Sequence, residues 1–227
     1  MQNIVVFTGA GISAESGINT FRDNNGLWEQ YKIEDVATPE AFDKNPALVL
    51  NFYNLRREQV LKSNPNQGHV VLNKLKKKFN LHIITQNIDD LHERSGSNNV
   101  LHLHGNILEA KSTNNDKKIY PIKGPSLNIG DLCKKGNQLR PNVVWFGEEV
   151  PNMSKAINIT KEADIFIIIG TSLNVYPAAN LFHYTKKDCI IYYIDKNPET
   201  SINKRINIIK DTATHGTKLL VDKLLLV

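Results

Sequence analysis

Short, unbroken apolar runs and longer, periodic ones alternate along this chain. Asn3-Ile4-Val5-Val6-Phe7, Leu81-His82-Ile83-Ile84-Thr85, Val100-Leu101-His102-Leu103-His104, Asp164-Ile165-Phe166-Ile167-Ile168-Ile169 and residues 189–194 are runs of the first kind. They are too short for helices and predict buried strands. Residues 46–62 are of the second kind, and three- and four-residue spacing puts Leu48, Phe52, Leu55 and Gln59 on one face of a long helix. Further helices are predicted over 68–78, over 89–94 with a stop at Ser95-Gly96-Ser97, and over 217–226 with Leu219, Leu220, Lys223 and Leu224 on one face. Strands alternating with helices predict an α/β fold with a parallel sheet covered by helices on both faces.

Residues 112–138 break this pattern. They hold Asn114-Asn115-Asp116, Pro121, Gly124-Pro125, Gly130 and Gly136 and read as a small inserted module. The expected organisation is one domain. Its large part takes residues 1–30, 78–108 and 140–227; its small parts are a helical 31–77 and the module at 109–139. A length of 227 residues, with 41% apolar and 22% charged residues, suits a single large core. No apolar stretch approaches a membrane span, and no signal-peptide pattern precedes the first strand, so a cytoplasmic location without a membrane partner is expected. Cys133 and Cys189 are the two cysteines, which argues against a disulfide framework. The net charge of +5 is modest, and Lys74-Leu75-Lys76-Lys77-Lys78 reads as a solvated helix end rather than a nucleic-acid patch.

The candidate chemistry begins at the first turn. Thr8-Gly9-Ala10-Gly11 breaks the first strand and opens a short helix at Ile12-Ser13-Ala14. Gly9 permits the tight turn, Gly11 lets backbone approach a phosphate, and Ala14 fits the last position of a dinucleotide fingerprint. No second strand ending in Asp or Glu follows about 20 residues later, as that fingerprint requires. The turn is therefore either no dinucleotide site or a Rossmann-like one with an insertion after it. Ligands bind at the C-terminal strand edge of such a sheet. That edge collects Gly9-Ala10-Gly11, Gln86-Asn87-Ile88-Asp89 and Gly170-Thr171-Ser172, whose amides and hydroxyls suit a ribose and a phosphate. Asp89 serves equally as a cap for the next helix. His104 shares a strand face with His102 and stands before Gly105, where a structural role and that of a base both fit. Tyr53 and Arg56 lie three apart on a helix, able to grip a carboxylate or simply to face solvent, and Arg57 fits that face nearly as well.

These segments together resemble the sirtuin family. Gly9-Ala10-Gly11-Ile12-Ser13 with Glu15-Ser16-Gly17-Ile18 and Phe21-Arg22 is similar to its cofactor motif, and Thr85-Gln86-Asn87-Ile88-Asp89-Asp90-Leu91-His92 to its second motif. His104-Gly105-Asn106, residues 141–148 and Gly170-Thr171-Ser172 follow in the family's order. The likeness spans nearly the whole chain and is strongest to bacterial CobB-like members. It implies NAD-dependent removal of acyl groups from protein lysines. It implies adenine and phosphate contacts at Gly9, Ala10, Gly11, Gly170, Thr171 and Ser172, with Glu15 in the same motif, and an adenosine contact at Asp195, where the family often has Asn. It implies a nicotinamide ribose near Gln86 and His104, a nicotinamide pocket at Ser13, Ile88 and Asp89, and a mobile cofactor loop with Phe21 and Arg22.

The chemistry so implied needs orientation and exclusion of water more than strong acids. An amide oxygen attacks the ribose through an oxocarbenium-like transition state while cationic nicotinamide departs. Asn87 then holds ribose hydroxyls or a water, and His104 takes a ribose hydroxyl proton. Val144, Trp145, Phe146 and Gly147 offer a strand edge to the acyl-lysine peptide, with the rings as walls or, for one of them, as core. Tyr53 and Arg56 match the Tyr-x-x-Arg of members that remove succinyl and malonyl groups. The chain departs from the family where zinc cysteines are usual: Ser112 stands at the first position and Cys133 near the last, so no zinc is expected. A monomer acting on acyl-lysines of other proteins is expected. An NAD-binding module without turnover and a protein ADP-ribosyltransferase are the alternatives.

Overall fold

In the computed structural model, which describes residues 1–19, 31–114, 117–199 and 206–226, the short apolar runs form one parallel sheet. Its strands are β1 (Asn3–Thr8), β2 (Asn80–Thr85), β3 (Val100–His102), β7 (Ile165–Ile169), β8 (Ile190–Asp195) and β9 (Ile206–Lys210), in the order β3-β2-β1-β7-β8-β9. Side chains of β1 alternate between the two faces. Ile4 and Val6 pack with the Gln67–Leu72 and Ala213–Leu226 helices, while Val5 and Phe7 pack with the Met153–Lys161 helix and the 3₁₀ segment Ala178–Tyr184. The chain leaves β1 toward β2 on one side and returns to β7 on the other. Strand order therefore reverses between β1 and β7, where a crevice opens beyond the strand ends.

A second, antiparallel sheet of order β5-β4-β6 is built from β4 (Gly105–Ser112), β5 (Ile119–Pro121) and β6 (Leu139–Val143). It runs from Gly105 to Val143, beyond the 109–139 expected for the module. The expected strand over 100–104 stops at His102, because Gly105 turns the chain at φ 81° into β4. A Cβ at Gly105 would lie 2.0 Å from the Asn142 carbonyl oxygen, so only glycine permits this approach of β4 to β6.

The long helix is Pro46–Lys62, started by Pro46 and by Asn45, whose side chain accepts from the Leu48 N–H. Its buried side differs from the expected one. Val49, Phe52, Tyr53, Arg57 and Val60 face the core, and Leu55 is 37% exposed. The reason is Arg57, which donates from Nε to the Ile107 carbonyl (2.7 Å) and from Nη1 to Asn54 Oδ1 (2.7 Å) and the Pro125 carbonyl (3.0 Å). Burial pushes this guanidinium down to about 10. Asn54 also holds both backbone groups of Leu127, tying the module to the helix. The helix predicted over 68–78 is α-helical over Gln67–Leu72 and continues as a 3₁₀ turn over Asn73–Lys77. There Lys76 and Lys78 donate to the carbonyls of Gly96 and Leu225, as lysines at a helix end commonly do.

Candidate active site

The crevice is held shut at its base by backbone. Gly9 N donates to the Ile169 carbonyl at 3.0 Å and Gly11 N to the Gly170 carbonyl at 2.8 Å. A Cβ at Gly9 would meet Thr171 Cβ at 2.6 Å, and one at Gly11 would meet Gly170 Cα at 2.7 Å. Gly170 sits at φ 59°, and a Cβ there would lie 2.5 Å from Ile12 N. These three glycines let the turn after β1 and the end of β7 touch. Three residues after Gly170, Leu173 takes φ 55°, a strained value for a bulky side chain.

Around this base the structure gathers polar groups. Ser13 Oγ donates to Asp89 Oδ2 and accepts from Asn87 Nδ2, both at 3.0 Å, and all three residues are buried. Asp89 Oδ1 accepts from the Leu91 N–H, one residue before the helix N-cap at Asp90, while Oδ2 faces Ser13. Burial pushes the Asp89 carboxyl up, against the hydrogen bonds from Leu91 and Ser13. Thr171 Oγ1 donates to Gln86 Oε1 at 2.9 Å, which leaves Gln86 Nε2 buried with no partner among the described residues. An orphaned donor here calls for a ligand acceptor. His104 follows the end of β3, and its Nδ1 donates to the Gln86 carbonyl at 2.9 Å. Burial holds this imidazole below its ordinary value despite that bond, so it is neutral at pH 7 with a lone pair at Nε2.

Other predicted residues are dispersed. Glu15 is exposed, and its carboxylate accepts from the Thr214 N–H at the start of the C-terminal helix, outside this cluster. Ile88 packs into the core of the smaller lobe. Ser172 and Asp195 stand at the same sheet edge, Asp195 at the end of β8 with its side chain on the Asn197 N–H. Phe21 and Arg22 lie outside the described residues. Val144, Trp145 and Phe146 donate their N–H groups to the His104 carbonyl, Glu148 and the Ala37 carbonyl. Those amides are therefore engaged within the chain, contrary to a strand edge offered through them. Trp145 is core, beneath the Arg140 guanidinium and beside Phe42, whereas Phe146 is 45% exposed and Gly147 follows it at φ 88°.

On the long helix, Tyr53 is buried rather than solvated, 5.2 Å from the Phe52 ring. Burial pushes its phenol up, so it keeps its proton. The Arg56 guanidinium lies 5.7 Å from the Phe52 centroid and 5.9 Å from that of Tyr53. Burial pulls Arg56 down, and Tyr53 and Asp89 oppose this, so Arg56 is within electrostatic reach of the Ser13–Asn87–Asp89 cluster. Arg57 is committed to the module and is removed from contention.

Sequence reasoning missed the support behind Asn87. His92 Nε2 is 3.0 Å from Thr8 Oγ1, Thr8 donates to Thr85 Oγ1 at 2.8 Å, and Thr85 Oγ1 accepts from the Asn87 N–H at 3.0 Å. The signal was a threonine ending each of two adjacent buried strands.

The Sir2 family profile matches residues 9–177, most of the chain and the span that carries this cluster. The chain belongs to the Sir2 family. A relative from Bacteroides thetaiotaomicron, an NAD-dependent protein deacylase, is 49% identical over 224 residues, 96% of each chain. One of the same name from Helicobacter pylori is 49% identical over 226 residues, 99% of this chain and 98% of its own. Among Sir2 structures, a Sir2 homolog–NAD complex superposes with a TM-score of 0.89 at 37% identity, covering 98% of this chain and 89% of that one.

Proposed function

We propose that this chain is an NAD-dependent protein-lysine deacylase. The single observation that carries the proposal is the buried Ser13–Asn87–Asp89 cluster beside a neutral His104, at the switch point of a parallel sheet. The residues fit NAD: Gln86 Nε2 is buried without a partner among the described residues and can donate to a ligand acceptor at the switch-point crevice. NAD supplies an electrophilic ribose carbon and a nicotinamide that leaves without a general acid. Ser13, Asn87 and Asp89 orient the nicotinamide end, and Gln86 and Thr171 the ribose and phosphates. His104 accepts a ribose hydroxyl proton at Nε2, and the imidazolium so formed keeps its Nδ1 bond to Gln86. Phe146 walls the lysine stem. Acyl-lysine side chains of other proteins are the partners, and we take the protein as a cytoplasmic monomer without nucleic-acid or membrane partners. No helix among the described residues is long and apolar enough to cross a membrane.

Replacing His104 by Ala leaves NAD affinity near wild type and lowers turnover by roughly 10²–10⁴-fold, the usual worth of a general base. In the wild type, activity falls with acid only below pH 6.5, because the base must be neutral and His104 titrates below that ordinary value. Turnover retained in the alanine variant would remove His104 from the chemistry. Binding of NAD with no turnover in the wild type would favour a binding module, and ADP-ribosylated protein would favour transfer of ADP-ribose.

The acyl range follows from Tyr53 and Arg56. A protonated phenol and a guanidinium beside the cluster suit an acyl carboxylate, which would be costly to bury unpaired. Acetyl and succinyl or malonyl groups are therefore both substrates. A charge-assisted hydrogen bond is worth roughly 1.5–3 kcal/mol, so Arg56→Met lowers kcat/KM for a succinyl peptide on the order of 10- to 100-fold and spares the acetyl peptide. An equal loss on both peptides would make Arg56 structural.

The module holds together without zinc in this proposal. Around Cys133 Sγ stand Ser112 Oγ at 3.5 Å and Asn137 Nδ2 at 3.8 Å, a donor set that does not fit a tetrahedral thiolate site. Packing and amides do the work instead. Leu127, Cys133 and Leu139 join the core, and Gln138 bonds the backbone of Asn128, Gly130, Asp131 and Leu139. Elemental analysis of purified protein should find far less than one zinc per chain, and chelators should leave Tm unchanged. Stoichiometric zinc would contradict this.

A further inference from the structure

We propose that His102, paired with Glu93, is a positioning residue: a doubly protonated imidazolium that anchors the Asn87 peptide behind the cofactor crevice. The inference rests on the role proposed above for Asn87. It is carried by the partners of the ring. His102 Nδ1 lies 3.0 Å from the Asn87 carbonyl oxygen and Nε2 lies 2.8 Å from Glu93 Oε1. A carbonyl and a carboxylate only accept, so both ring nitrogens must carry hydrogen, and only the imidazolium does that. Two residues along, His104 donates to the preceding carbonyl, that of Gln86, and is neutral. Successive carbonyls of the 86–87 segment are thus each held by a histidine, one cationic and one free to act as a base. Such a divergence of neighbouring titratable groups separates their tasks.

The anchor matters because Asn87 is held on its other sides too. Its N–H donates to Thr85 Oγ1, and its side chain donates to Ser13 Oγ at the centre of the cluster. The His102 bond fixes the remaining peptide oxygen and so the rotation of the amide toward Ser13. Groups around the ring are few. The Leu91–Arg94 helix contributes Glu93 and a neutral His92, and the loop before it contributes Asp89. Thr85, the partner of His102 across β2, and Asn152, which donates to the His102 carbonyl, are uncharged. Burial opposes the charge, and the hydrogen bond and charge of Glu93, then Asn87 and Asp89, overcome it, so His102 titrates above its ordinary value.

Loss of the proton breaks the anchor in either tautomer. With hydrogen on Nδ1, a lone pair faces Glu93; with hydrogen on Nε2, a lone pair faces the Asn87 carbonyl. The stabilisation from a histidine whose value is raised on folding is complete below about 6.5 and vanishes as pH climbs through the folded value. Asn87 therefore loosens on the alkaline side, while His104 limits activity on the acid side.

The test uses the full chain, wild type and Glu93→Gln, in which the side chain can still accept from Nε2 but the charge is gone. Glu93 is 40% exposed, so the exchange is tolerated by the fold. Imidazole nitrogen NMR follows the protonation of His102, and calorimetry follows NAD binding at pH 6 and at a pH between the His102 midpoints of the two proteins. In the wild type His102 should titrate above pH 6.5. In Glu93→Gln its midpoint should drop by about one pH unit or more. NAD binding by the variant should match wild type at pH 6, where both rings carry the proton, and be weaker than wild type by up to roughly 5- to 10-fold at the pH between the two midpoints, the worth of one hydrogen bond. A wild-type midpoint below 6.5, or a variant with equal affinity changes at both pH values, would overturn the proposal. If the wild type bound no NAD at either pH, the cofactor site itself would be misassigned, and the His102 midpoint would still decide whether the imidazolium exists.

Discussion

Everything at the candidate active site is referenced to one backbone contact, the touching of the turn after β1 and the end of β7. Gly11 N meets the Gly170 carbonyl at 2.8 Å, and no side chain larger than hydrogen fits at Gly9, Gly11 or Gly170. The contact occurs where strand order reverses, so the two neighbouring strand ends diverge into a crevice just above it. Ser13 is placed by the short helix Gly11–Ala14 that starts from this turn, and Thr171 by the segment that follows Gly170. Gln86 reaches the same point because β2 lies in register beside β1, with Thr8 opposite Thr85. A shift of one residue in that pairing would turn Asn87 away from Ser13.

The smaller lobe closes the crevice from the other side, and polar groups attach it. Ile107 N donates to the Ile88 carbonyl and Val144 N to the His104 carbonyl, while within the lobe Arg57 joins the long helix to β4 at the Ile107 carbonyl. The residues proposed to touch the acyl group, Tyr53 and Arg56, are on the helix whose neighbouring Arg57 pins the module. The guanidinium proposed to face substrate and the structural one are thus adjacent in sequence. Arg140 adds a third use: it pairs with both oxygens of Glu148 and lies 3.3 Å from the centre of the Trp145 ring, fixing the segment that presents Phe146.

How much of this was legible depended on the range of the interaction. Five strands of the large sheet, β1, β2, β3, β7 and β8, were readable as short apolar runs, and the long helix from apolar residues recurring at spacings of three and four over 46–62. Strand β4 was not, since its register shifts between Asn106 and Ala110 and interrupts the alternation. Strand β9 escaped because it lies at an edge, with Ile208 exposed. Leu55 and Arg57 exchanged their expected burial because the carbonyls that satisfy Arg57, at Ile107 and Pro125, are distant in sequence. The choice between Arg56 and Arg57 was made from resemblance, and the distant carbonyls that engage Arg57 could not be read from the sequence. Glycines, Asn87, Asp89 and His104 were visible as polar groups after apolar runs, whereas the protonation of His102 required knowing its two acceptors.

The central claim is that this crevice transfers an acyl group from lysine to NAD-derived ADP-ribose. Its most direct test is a product balance by mass spectrometry after incubation with NAD and an acyl-lysine peptide. Free lysine peptide, nicotinamide and O-acyl-ADP-ribose should appear in equal amounts. Nicotinamide and free ADP-ribose with the acyl peptide intact would contradict it.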